Sequence, residues 1–305
     1  MNRKQHDYAL VSIYSLCGIA KQGHYKAVVL QQRAEEKEPL YIGFIIEVRI
    51  IHPGMGLRSI YETYEVEGIG RDAFIALGLR AGFRLRAVHK TVRTTFSVKS
   101  NRYRNLLEDK KFTDVNQVWS SDITYFKIRE DTYYIVFIMD VYSRRIVGYS
   151  VADNMRAEQN IRALQMALDL RGIENYDQNL IHHSDKGSQY ISNDYTDLLT
   201  NFGIQISMCN MVYENAHIER VNGIIKNQYL YRWKITNFNQ LRKKIQDAVW
   251  AYNFEKQHRS LGKLTPVEFE ESLKELDTEQ RKELVIFTHK QNDDNNSALQ
   301  LEFDL

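Results

Sequence analysis

The chain changes its hydrophobic period near residue 115. Before that point apolar residues recur at helical spacing; after it, short apolar runs alternate with turns. Leu10, Ile13, Tyr14 and Cys17 fall at i, i+3, i+4 and i+7, the spacing of one helical face, and Gly18 follows as a stop. Ile19–Leu30 is then expected as a second helix. Beyond Pro53 the pattern repeats. Leu57, Ile60, Tyr61 and Tyr64 share a face, Gly68-Ile69-Gly70 makes a turn, and Arg71–Leu79 resumes a helix. Two helices joined by a short glycine-containing turn, followed by Arg80, Arg84, Arg86, Lys90 and Arg93, suit a DNA-recognition helix with backbone contacts. A small helical bundle with no ligand fits the same pattern. Residues 94–114 are polar and predict a connector.

The second period begins with the strand-like run VWSSDITYFKI within Gln117–Ile128. Arg129-Glu130-Asp131 turns the chain into the apolar strand Thr132–Val141. Ser143-Arg144-Arg145 turns it again into Ile146–Val151. Three strands with short turns predict an antiparallel meander. Helices are expected over Ala157–Leu170, Asn193–Phe202, Ala216–Leu230 and Leu241–Phe254, with strands at Leu180–His183 and Ile204–Met208. The order β-β-β-α-β-α-β-α predicts an α/β fold, a mixed sheet covered by helices, and is similar to the ribonuclease-H-like order of nucleotidyl transferases. Expected regions are a helical, helix-turn-helix-like DNA-binding part at 1–100, a connector at 101–116, the sheet-containing core at 117–270, and an acidic, partly disordered tail at 271–305.

Net charge over the 305 residues is +2, which conceals an asymmetry. Residues 1–118 carry 19 Lys and Arg against 12 Asp and Glu, whereas 119–305 carry 22 against 27. The excess is densest in Arg71–Lys111, with 11 basic and three acidic residues. Basic residues placed on a nucleic-acid backbone release counterions, so this half either contacts phosphates or is a solvated basic surface. There is no apolar run of roughly 18 residues, so no membrane-spanning helix is expected. Cys17 and Cys209 are the only cysteines, too few for a zinc cluster, and point to a reducing cytoplasm.

Three acids stand where acids are costly or conspicuous. Asp122 lies inside the first predicted strand, Asp185 follows the short strand ending in His182-His183, and Glu219 lies in the first turns of the helix from Ala216. A carboxylate within an apolar strand needs a partner or a cation. Three carboxylates on separate elements form a hard oxygen set suited to magnesium or manganese. Two such ions about 3.5–4 Å apart can assist cleavage and joining of phosphodiesters. Asp140 also ends an apolar strand, but the turn at Ser143-Arg144-Arg145 accounts for it. His182, His183 and His217 offer a transition-metal alternative with Asp185 and Glu219; His183 is more simply expected to orient a carboxylate. Asn222 and Lys226 follow Glu219 at i+3 and i+7 and share its helical face, where they can reach DNA.

The string His182-His183-Ser184-Asp185-Lys186-Gly187-Ser188-Gln189-Tyr190, with Gly203-Ile204, Ser207-Met208 and Glu214-Asn215-Ala216, resembles transposases of the Insertion Sequence 3 family. So do Val118–Tyr125, Asp140–Gly148, Tyr252-Asn253, Arg259-Ser260-Leu261 and Thr265-Pro266, and upstream His52–Ile60 and Asn105-Leu106-Leu107. The resemblance runs from about residue 8 to residue 270. It implies a retroviral-integrase-like core with Asp122, Asp185 and Glu219 as an Asp-Asp-Glu triad, Lys226 near DNA, and magnesium-dependent cleavage and strand transfer, with manganese as a substitute. Between Asp185 and Glu219 lie 33 residues, fewer than is usual in that family.

The implied partners are double-stranded DNA, both the element's terminal inverted repeats and a target, and further copies of the chain in the DNA complex. The chain starts near the expected start of the family's downstream-frame product and shows no leucine heptad. An upstream-frame helix-turn-helix product is therefore a further expected partner, and the bacterial nucleoid the expected location. The competing function is a non-catalytic DNA-binding protein or repressor of the element; a nuclease of the ribonuclease or resolvase type is a third reading.

Overall fold

The computed structural model of the chain describes residues 10–87, 103–173, 180–209 and 212–286. The chain divides into two compact units, Met1–Ala87 and Val88–Leu305.

The first unit is helical. Helix α1, Leu10–Leu16, stops before Gly18, whose φ is +62°. The helix expected over Ile19–Leu30 proves much longer: α2 runs unbroken from Lys21 to Ile51. Residues 26–38 contain neither Gly nor Pro and are rich in Lys, Ala, Gln and Glu, all strong helix formers. Pro39 removes one backbone donor inside α2. Packing immediately beyond it offsets that loss. Tyr41, Ile45 and Val48, at i, i+4 and i+7, are buried with Leu57 and Ile60 of α3 (Leu57–Thr63) and Phe74 and Leu77 of α4 (Arg71–Arg80). Gly78 lets α3 and α4 approach closely, since a Cβ there would lie 2.6 Å from Leu57 Cδ2. Arg84 and Arg86 follow α4 as exposed residues, and Lys90 falls outside the described residues.

The second unit opens with Leu107, buried in its core, and the short strand β1, Lys111–Phe112. Strands β2 (Val118–Ile128), β3 (Asp131–Asp140) and β4 (Ile146–Ala152) form the expected meander. Helix α5 (Ala157–Arg171), strand β5 (Ile181–Ser184), helix α6 (Asn193–Asn201) and strand β6 (Gln205–Met208) follow. The five strands make one mixed sheet, β4-β3-β2-β5-β6, antiparallel through β4-β3-β2 and parallel through β2-β5-β6. This is the ribonuclease-H-like arrangement that the order of elements predicts.

Strand alternation divides the core between the two faces of the sheet. Val118, Phe126 and Ile128 of β2 join a cluster with α7 (Ala216–Ile224) and α8 (Phe238–Phe254). Trp119 points the other way, into a cluster with Leu164 of α5 and Leu199 of α6. Both faces of the sheet are thus covered. The edge strand β4 is capped by a side chain from α8. Asn253 Nδ2 donates to the Ile146 carbonyl (2.8 Å), and the Ile146 N–H donates to Asn253 Oδ1 (2.9 Å). Asn253→Ala removes both bonds and leaves two buried edge groups unsatisfied, an expected loss of about 2 kcal/mol. Urea denaturation measures it; an unchanged midpoint would show that water replaces the amide without loss.

Helix α9, Pro266–Leu273, begins with a reciprocal capping box between Thr265 and Glu268. Its Glu270 accepts from Arg145, Arg171 and Ser143. Strand β7, Leu284–Val285, pairs antiparallel with β1, so this part of the acidic C-terminal region is built into the unit. Residues 287–305, the later part of the tail expected to be partly disordered, lie outside the described residues. Among the described residues no helix is long and apolar enough to cross a membrane.

Candidate active site

Parallel pairing of β2 with β5 fixes the site. The register sets Ser120 opposite His183 and Ser121 opposite Ser184. The next residues along each strand are Asp122 and Asp185, which therefore leave adjacent strands side by side and on the same face. That face is the one covered by α7, which carries Glu219 in its first turn. Asn222, one turn on, donates Nδ2–H to Asp122 Oδ2 at 2.8 Å. The backbone N–H of Gly187 donates to Asp185 Oδ1 at 3.0 Å and holds that carboxylate at the mouth of the strand.

The electrostatics agree with this convergence. Burial raises the Asp122 carboxyl to about 7, and the charges of Asp185 and Glu219 push it the same way. Burial also raises Asp185, against the Gly187 hydrogen bond. Lys226 lies with its ammonium 5.3 Å from the centre of the Tyr125 ring, where it feels the Asp122 charge. The helix expected over Ala216–Leu230 changes at Ile225 into a π-turn spanning Ile225–Tyr229, followed by a 3-10 turn, Leu230–Arg232. The wider turn lets Ile225, Tyr229 and Leu230 all point into the core, each fully buried.

The helix is anchored to β2 at its start. Asn215 accepts from Ser120 Oγ (2.5 Å) and donates to the Ser121 carbonyl (3.2 Å). Behind β2, Ser121 Oγ and Tyr190 OH are hydrogen-bonded at 2.8 Å, and Tyr195 OH meets His182 Nε2 at 2.9 Å. Asn215 and Tyr190 stand in the motifs quoted above, yet nothing in residue type or spacing assigned them these bonds.

The histidines are occupied separately. His182 faces away from the acids towards Tyr195, His183 Nδ1 pairs with Ser207 Oγ at 2.9 Å, and His217 Nδ1 accepts from Arg144. Burial depresses His183 to about 4, so it is neutral at physiological pH. Among the described residues no three His, Cys, Asp or Glu side chains form a preformed metal cage. Asp140 behaves as its surroundings predict. It accepts from the N–H groups of Asn116, Tyr142 and Ser143 and faces Arg171 at 3.6 Å.

Comparison with known proteins adds the family. The Integrase core domain family matches residues 113–212, and a second Integrase core domain family matches residues 203–266. The chain is 30% identical over 275 residues to the insertion element IS600 uncharacterized 31 kDa protein of Shigella sonnei, across 85% of this chain and 97% of that protein. It is 31% identical to the transposase for insertion sequence element IS629 of the same organism, across 72% of this chain and 75% of the relative. To transposase InsF for insertion sequence IS3A of Escherichia coli it is 32% identical, across 54% and 58%. The chain belongs to the Insertion Sequence 3 family of transposases. This transposase acts on DNA of an insertion sequence and is a polynucleotidyl transferase with an integrase-type core.

Proposed function

We propose that Asp122, Asp185 and Glu219 are the catalytic acids with which this transposase cleaves DNA at the ends of its element and transfers the strands to a target. The observation that carries this reading is the register of β2 and β5, which sets two aspartates side by side beneath the glutamate-bearing helix. The donor set fits divalent cations of the magnesium type. All three residues offer hard oxygens, Asp122 is burdened by two neighbouring negative charges, and the buried Oδ1 of Asn222 has no hydrogen-bond partner among the described residues. Bound there, magnesium or manganese would activate the attacking oxygen and compensate charge on the leaving one.

The chain's own residues do the rest. Asn222 holds Asp122 by one oxygen, and a backbone hydrogen bond at Ile123 steadies the same carboxylate. The Gly187 N–H orients Asp185, and His183, tied to Ser207, supports the strand from which Asp185 emerges. Lys226 lies beside Asp122 without being able to coordinate a cation, and its ammonium suits a DNA phosphate. Arg84, Arg86 and Lys90 supply sequence-tolerant phosphate contacts from a DNA-binding region at 1–100, while 117–270 carries the catalysis. The substrates are the element's terminal inverted repeats and target DNA, engaged by more than one copy of the chain on the nucleoid, with an upstream-frame helix-turn-helix product as a further partner.

The test is cleavage and joining of a labelled duplex bearing the inverted repeats that flank the protein's own locus. Cut and joined products in magnesium or manganese are expected; stable binding with neither product would favour a repressor. Lys226→Ala should weaken binding of the DNA end about tenfold, the loss of one charge-assisted contact. Lys226→Arg should retain part of the affinity. Titrating magnesium should not rescue the alanine variant, and full rescue would place Lys226 in metal binding.

A further inference from the structure

A row of buried polar side chains lies one step behind the acids. The sheet register sets Ser120 opposite His183 and His183 opposite Ser207, across the parallel strands β2, β5 and β6. Ser120 and His183 stand two residues before Asp122 and Asp185, so side-chain alternation puts the row on the face that carries the acids. All three are buried, and such groups are costly unless bonded. The bonds at the two ends of the row lead to one turn. At one end Ser120 Oγ donates to Asn215. At the other, Ser207 Oγ meets His183 Nδ1 and also accepts from the Leu106 N–H at 2.9 Å. Leu106 belongs to the connector, which is laid against β6, where the Met208 N–H donates to the Arg104 carbonyl (3.3 Å). Between Arg104 and Leu106 sits Asn105. Its Nδ2 donates to Glu214 Oε2 at 2.8 Å, and its Oδ1 accepts from the Leu107 N–H at 2.8 Å. Glu214 and Asn215 are neighbours in the 3-10 turn Val212–Asn215, which runs directly into α7.

The bonds close into a ring that touches every element bearing an acid. Ser120 belongs to the strand of Asp122, His183 to the strand of Asp185, and Glu214 and Asn215 to the turn that leads to Glu219. Ile218 and Val221 bury α7 against the sheet, but apolar contact is non-directional and does not by itself fix how the helix is rotated or slid. Directed bonds at two consecutive residues do. Asn215 ties the turn to β2, and the buried Glu214 ties it to the connector. The accuracy matters, since a misplacement of about 1 Å in such a centre costs on the order of 10²-fold in rate.

We propose that Asn105, in the connector, is a positioning residue for the reaction: by holding Glu214 it sets the first turn of α7 and so places the Glu219 carboxylate against Asp122 and Asp185. Asn105 suits the task because its amide is itself held. The Leu107 N–H fixes one end, and Leu107 is fully buried, so the other end is aimed at Glu214. This inference rests on the reading of Asp122, Asp185 and Glu219 as the reacting centre.

The experiment is single-turnover cleavage of a labelled element end by the full chain, with DNA affinity and the half-maximal magnesium concentration measured for each variant. Glu214→Ala removes the bond to Asn105 and leaves the Asn105–Leu107 bond in place. It should slow cleavage of bound DNA about 10²-fold and raise the magnesium requirement, with DNA affinity unchanged. Glu214→Gln keeps an oxygen acceptor in the same place and should recover most of the rate. Asn105→Asp brings two carboxylates together and should fall further behind wild type from about pH 6 to about pH 9, since the pair shares a proton only at the acid end. Combining Asn105→Asp with Glu214→Gln rebuilds the hydrogen bond with donor and acceptor exchanged, and should remove both the rate loss and that pH dependence. The exchange variant keeps the test decisive if the alanine variant does not fold, which circular dichroism shows. A side chain that only stabilised the fold would change the folded fraction and leave the rate and magnesium requirement of folded protein alone. Wild-type rates in folded Glu214→Ala, or an exchange variant no better than Asn105→Asp, would overturn the proposal. So would Glu214→Gln as slow as Glu214→Ala, which would give the role to the charge, or a loss of DNA affinity that accounts for the lost cleavage. Asp185→Asn, run alongside, separates the two readings. Normal cleavage by Asp185→Asn would sink the acid assignment; its inactivity beside normal cleavage by Glu214→Ala would sink the positioning role alone.

Discussion

Asp185→Asn should abolish practical DNA cleavage by this transposase while leaving its fold and its DNA binding intact. The expected loss is roughly 10³-fold or more, since a centre of this kind supplies several kcal/mol of transition-state stabilisation and each 1.36 kcal/mol is tenfold in rate. Asp122→Asn and Glu219→Gln should behave alike, and a double variant should lose little more than a single one, because the three acids act as one unit. The fold should survive because none of the three belongs to the apolar clusters on either face of the sheet. The measurement is single-turnover cleavage of a labelled element end, beside filter binding of the same DNA. Near-normal cleavage by Asp185→Asn would remove that residue from the site. Loss of cleavage together with loss of folding would mean that Asp185 chiefly secures the loop through Gly187.

The second large effect is on stability. The Asp122 carboxyl titrates near 7 in the folded chain, against an ordinary value of 3.8. Its folded-state pKa is raised, so the folded chain keeps a proton that the unfolded chain has released. Stability contributed by that proton is present below about pH 4 and is lost as pH rises towards 7. The full loss is on the order of 4 kcal/mol at 1.36 kcal/mol per unit. Asp122→Asn cannot ionise. In metal-free buffer it should equal wild type near pH 4, gain on it through the window, and hold a constant advantage above pH 7. Urea unfolding at several pH values with EDTA gives the comparison. Magnesium should then stabilise wild type more than the variant, since only wild type presents the full anionic set. An advantage independent of pH would trace the gain to packing instead of charge.

Much of the fold was legible because its signals are local. Short apolar runs broken at Arg129-Glu130 and Ser143-Arg144 mark β2, β3 and β4, and helical spacing marks α3, α4 and α5. Asp122 stood out as a charge inside an apolar strand, which a single sequence can reveal. The end of α2 was not legible, since propensity up to Leu30 says nothing of the packing beyond Pro39 that carries the helix to Ile51. The π-turn at Ile225–Tyr229 was equally hidden, because it follows from three side chains competing for one core.

The sequence by itself determined the order of the main strands and helices of the core, the family, and the three acids worth singling out. Only the tertiary structure decided that β2 and β5 pair in the register that sets Asp122 beside Asp185, and that α7 covers that same face. It alone turned His182 towards Tyr195 and gave Glu270 the charges of Arg145 and Arg171. The reason is physical. Periodicity and propensity act over one or two turns of chain, whereas strand register and charge neighbourhoods are set by which distant surfaces bury one another.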